Sequence, residues 1–93
     1  MKIYIAGKIT GGPGYWMKFW QAEKKLANQG HIVLNPAWIP EGMTPQDHMR
    51  ICFAMIDAAD VCVFLPDWEE CQGARLERAY CEYTGKETKT WRD

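Results

Sequence analysis

The sequence predicts a small α/β fold in which helices cover both faces of a parallel sheet of three or four strands. Three observations point there. Short apolar runs read as strands at 2–6, 32–34 and 61–65. The stretches between and after them carry apolar residues at helical spacing. The connections are short and rich in Gly and Pro, and strand–helix alternation joined in this way builds a parallel sheet.

Lys2 to Ala6 (K-I-Y-I-A) is the first strand, and G-K-I-T-G-G-P-G follows it at once. Glycine there serves a tight turn and lets backbone N–H groups face an anion at the next helix start. Gly7, Gly11, Gly12 and Gly14 do not match G-x-G-x-x-G, and no G-K-[ST] closes the turn. A plain strand-to-helix connection fits it equally. Tyr15 to Asn28 is a helix with Tyr15, Phe19, Ala22 and Leu26 on one stripe, broadened by Trp16 and Trp20. Those aromatics suit a core or a subunit interface. Gly30 ends the helix. Ile32–Leu34 is the second strand, and Asn35 to Met43 is a loop over the same rim.

Thr44 is the N-cap of the next helix, with Pro45 at its first position and Asp47 placed to complete a capping box. Met49, Cys52, Phe53, Ile56 and Ala59 form its buried face. His48, one turn before Cys52, reads as a structural or solvent-exposed histidine. Val61 to Leu65 is the third strand, closed by Pro66. A helix runs from about Gly73 to a stop at Gly85, and Glu87 to Trp91 suits a short polar edge strand. The sum is a flavodoxin- or Rossmann-like three-layer sandwich.

Ninety-three residues make one domain, 1–93, and 47% apolar content with five tryptophans argues for a packed chain. A net charge of −1 gives no general attraction to a nucleic-acid polymer or an anionic membrane. No apolar run approaches the ~20 residues that span a bilayer, and the start lacks a signal-peptide pattern, so a soluble cytoplasmic protein is expected. Cys52, Cys62, Cys71 and Cys81 fall roughly ten apart without C-x-x-C pairs. They read as reduced thiols, and neither a metal nor a cofactor is expected. So small a sheet leaves helix surface uncovered, which predicts a homo-oligomer, a dimer or larger.

The chemistry concentrates in Asp67 to Tyr80, D-W-E-E-C-Q-G-A-R-L-E-R-A-Y, just beyond the third strand. Open α/β sheets bind ligands at the carboxyl ends of their strands. Gly73 and Glu77 are four apart and share a helix face, so a small molecule can approach that carboxylate closely. Ala74, Leu76, Ala79, Tyr80 and Cys81 surround it with small and apolar groups, which disfavour its charged form. The spacing equally suits a solvated Glu paired with Arg75 or Arg78.

Three blocks together resemble the nucleoside 2-deoxyribosyltransferase-like superfamily: I-Y-I-A-G-K-I-T-G-G at 3–12, G-H-I-V-L-N-P at 30–36, and A-D-V-C-V-F-L-P-D-W-E-E-C-Q-G-A-R-L-E-R-A at 59–79. The third is the specific one and is similar to a short phage and bacterial branch with a W-x-x-S-x-G-A-x-x-E pattern. The resemblance implies cleavage or transfer at the N-glycosidic bond of a nucleoside or nucleoside 5′-monophosphate in a bacterial or phage-infected cytoplasm. It makes Glu77 the nucleophile and Tyr4 the residue that orients it. It makes Gly7, Lys8, Ile9, Thr10, Gly11 and Gly12 a phosphate cradle, with Gly73, Cys71, Cys52 and Asp67 around the substrate. Two positions depart from the pattern. Cys52 stands where an aspartate commonly meets the leaving base, and Cys71 stands where the family has Asp or Ser. Asp67, Glu69 and Glu70 are candidates to replace the missing acid. A non-catalytic nucleotide-binding module and an oligomeric interaction protein are the alternatives.

Overall fold

A computed structural model describes residues 1–9 and 14–92. Strands β1 (Lys2–Ala6), β2 (Ile32–Leu34), β3 (Val61–Phe64) and β4 (Glu87–Thr90) alternate with helices α1 (Tyr15–Asn28), α2 (Pro45–Ala58) and α3 (Gln72–Thr84). All four strands are parallel, in the order β2-β1-β3-β4. In register, Tyr4 faces Leu34 on one side and Cys62 on the other. The chain winds one way to β2 and then crosses β1 to reach β3. The switch point, where such sheets hold ligands, therefore lies between the carboxyl ends of β1 and β3.

Side chains alternate across a strand, and that divides the core into two layers. Ile3, Ile5, Val61, Val63 and Leu65 face α1, where Phe19, Ala22 and Leu26 meet them. Tyr4, Ala6, Cys62 and Phe64 face the other way, onto Cys52 and Ile56 of α2, Ala59, and Cys81 of α3. Strand β4 is polar, and its Lys89 and Glu87 are exposed at the sheet edge, a composition that discourages pairing with another chain. Gly85 ends α3 at φ 77°, a left-handed conformation that favours glycine.

Two expectations need correction. Trp16 and Trp20 do not extend the core stripe: they are 45% and 39% exposed. Each lies one residue further round the helix than Tyr15 and Phe19, which turns it off the sheet. The Lys24 ammonium sits 5.1 Å from the Trp20 ring. The capping box is only half formed. Thr44 Oγ1 accepts from the Asp47 amide at 3.1 Å, while the Asp47 carboxylate pairs with Arg50 at 2.8 Å. Thr44→Ala should therefore cost about 1 kcal/mol, the typical value of a lost N-cap, read as a lower urea midpoint. Among the described residues no helix is long and apolar enough to cross a membrane.

Candidate active site

The buried residues of α3 are Ala74, Glu77 and Cys81, spaced three and four apart, so a carboxylate occupies a position on the face turned to the sheet. Glu77 is 5% exposed, and Tyr4 and Cys52 beside it are fully buried. Burial pushes the Glu77 carboxyl up to about 7, against the opposing influence of hydrogen-bonding contact with Tyr4 and Cys52. Burial, and then the Glu77 charge, push the Tyr4 phenol well above its usual range. The same two causes push the Cys52 thiol up to about 12. These groups are near enough to perturb one another, yet Tyr4 Oη makes no hydrogen bond of ordinary geometry among the described residues.

Because the phenol favours the charged form of Glu77, Tyr4→Phe should move that carboxyl above about 7. A carbon-detected NMR titration of the Glu77 side chain reads the change. A downward shift would contradict this arrangement.

Glu77 opens onto a cavity of about 820 Å³. Its walls are the turn after β1 (Gly7, Ile9), Tyr15 of α1, the loop after β2 from Pro36 to Met43, and the first turns of α2 and α3. Gly7 is required by packing: a Cβ there would stand 3.0 Å from Leu65 Cδ1 and 3.2 Å from Asp67 Oδ1. Gly73 is different. A Cβ would meet Met49 Sδ at 3.4 Å, close to ordinary contact, so the missing side chain leaves room in the cavity and relieves no clash.

Of the residues singled out in the sequence, Gly7, Ile9, Cys71, Gly73 and Glu77 share this wall, and Tyr4 and Cys52 are packed beside Glu77 beneath the surface. Asp67 goes elsewhere. It lies behind Gly7, accepts from the Lys8 amide at 3.1 Å, pairs with Lys18, and lines a smaller cavity of about 420 Å³ beside α1. The Lys8 ammonium is 3.4 Å from Glu70. Both the amide and the ammonium of Lys8 therefore face carboxylates in this conformation. Glu69 contributes its carbonyl to Arg75. Thr10, Gly11 and Gly12 lie outside the described residues.

His48, which the sequence reads as structural or solvent-exposed, stands on the cavity wall with Gln46 and Gln72. A lone histidine carries no spacing signal. The available hint was its place one turn before Cys52 on a helix whose start meets the rim.

Residues 1–90 match the family described as a domain of unknown function, DUF4406. No curated protein matches the sequence. Among solved structures, the fold is similar to a 2-deoxyribosyltransferase from the psychrotolerant bacterium Bacillus psychrosaccharolyticus. The likeness has a TM-score of 0.75 at 19% identity and covers 97% of this chain and 71% of that one.

Proposed function

We propose, for a chain that belongs to the DUF4406 family, that Glu77 attacks the anomeric carbon of a nucleoside or nucleoside 5′-monophosphate and cleaves its N-glycosidic bond. The observation that carries this reading is a buried carboxylate, shifted to about 7, on a cavity at the switch point of the sheet. The fold shared with a 2-deoxyribosyltransferase supports it, as do the sequence blocks that resemble that superfamily.

The anomeric carbon develops positive charge as the base departs, and a carboxylate both stabilises that charge and can bond to it. A buried Glu77 does so at low cost because little water must be stripped from it at the moment of attack. Tyr4, buried beside the carboxylate, favours its ionised form. The gap at Gly73 leaves space for the sugar, while Ile39, Met43, Met49 and the prolines of the β2 loop give an apolar wall for the base. The glycosyl–Glu77 ester is then opened by water or by a second base.

Incubation with a panel of nucleosides and 5′-monophosphates, scored for released base, tests the proposal. Release from at least one is expected. Preference for monophosphates would assign the turn at 7–12 to the phosphate, and equal release from nucleosides would remove that role. No release from any member of the panel would contradict the reading.

A further inference from the structure

Breaking the C1′–N bond leaves an electron pair on the departing base, and a proton delivered there normally contributes ~10²–10⁴-fold. Cys52 is poorly placed to deliver it. Its thiol is fully buried against Tyr4 and Glu77, and is pushed up to about 12. Asp67, Glu69 and Glu70 are off the Glu77 cavity wall.

We propose that His48 faces the leaving base in this cavity and donates the proton on which its departure depends, an assignment that rests on the reading of Glu77 above. His48 and Cys52 are one turn apart on α2, which puts them on nearly the same line of the helix and about 6 Å apart along its axis. The first turns of α2 form cavity wall, so that step carries the side chain out from beneath Glu77 to the open space above it. A base attached to a sugar seated on Glu77 extends into that space. Gln46 and Gln72 stand on the same wall and can each donate and accept a hydrogen bond. Met43 and Met49 supply the polarisable surface against which a planar ring packs.

A Glu77 carboxylate oxygen bonds to C1′ as the C1′–N bond breaks, and the electron pair stays on the base nitrogen. The pair delocalises into the ring, and the His48 imidazolium gives its N–H proton to a basic ring nitrogen of the base, N7 in a purine, and becomes neutral. When water or an acceptor base attacks C1′, it loses a proton to the neutral imidazole, and Glu77 leaves as a carboxylate.

The titratable groups that share the wall with His48 are Glu77 and Cys71 at α3, Glu41 in the β2 loop and Tyr15 of α1. Asp47, Arg50 and Cys52 neighbour it on its own helix. Burial lowers the His48 pKa and raises that of Glu77 to about 7. The resting proton therefore sits on Glu77, and the reactive arrangement has the same total charge with the proton on His48. Activity should peak on the acid side of neutrality. It should fall about tenfold per pH unit once the pair has lost its shared proton.

The test compares wild type with His48→Gln on a 2′-deoxypurine nucleoside and on its N7-methylated form, whose cationic base departs without needing a proton. At about pH 6.5 the variant should lose ~10²-fold on the unmodified nucleoside and less than about threefold on the methylated one. Its alkaline limb should vanish, so that the rate rises as Glu77 ionises and then stays level. An equal loss on both substrates, or an alkaline limb that survives, overturns the assignment and leaves the Glu77 reading intact. Absence of base release from wild type on every member of the nucleoside and 5′-monophosphate panel overturns both.

Discussion

Replacing Glu77 with Gln should lower base release by at least ~10³-fold while the chain remains folded. The amide has the same size and shape as the carboxyl, so it fits beside Tyr4 and Cys52 without opening a cavity. It cannot bond covalently to C1′, and it carries no charge to stabilise an oxocarbenium-like state. The other acidic side chain on the described cavity wall, Glu41, is exposed in the loop after β2, away from the Tyr4 contact. Loss of turnover with binding retained, measured by released base and by ligand-dependent thermal stabilisation, is the expected pair of results. A variant within tenfold of wild type would remove Glu77 from the chemistry.

The same carboxyl should make stability depend on pH. Its ordinary value is 4.5, and in the folded chain burial raises it to about 7, so the folded state holds the proton more tightly than the unfolded state does. The Glu77 contribution is therefore fully present below about pH 4.5, is lost as pH rises through about 7, and stays lost above that. At 1.36 kcal/mol per pKa unit the change is on the order of 3 kcal/mol. With Glu77 only 5% exposed, solvent screening removes little of it. Glu77→Gln does not titrate, and His48 is common to both chains, so the difference between them isolates this one group. Urea unfolding at pH 4.5 and pH 8 should show the variant gaining on wild type by roughly that amount over the interval. A difference that is the same at both pH values would mean that the carboxyl is not buried as described.

Much of the fold was legible in the sequence because it rests on local signals. Val61 to Leu65 and Lys2 to Ala6 read as strands, and their two-residue alternation is what separates the α1 layer from the α2 and α3 layer. Thr44-Pro45 marked the start of α2, and Gly85 the end of α3. The parallel sheet and the helices on both faces follow from alternation with short connections. Trp16 and Trp20 fall off the core stripe, which size and apolarity alone do not reveal, because the direction of each side chain depends on a turn of about 100° per residue.

The site was legible where a helix or a single strand defines it and illegible where distant segments meet. Gly73 and Glu77 share a face through their spacing alone. The bond from the Lys8 amide to Asp67 joins residues far apart in the chain, and nothing local announces that Asp67 turns toward Lys8 and Lys18 and away from Glu77. His48 reaches the cavity because the loop after β2 folds over the start of α2, a tertiary event with no signature in the residues around it.

The most direct measurement is intact-mass and peptide mass spectrometry after incubation with a 2′-fluorinated arabinosyl nucleoside, whose fluorine slows opening of the sugar ester. One added glycosyl group is expected, located on Glu77 and absent from Glu77→Gln. A glycosyl group on any other residue, or base released from this compound with no covalent intermediate at all, would contradict it.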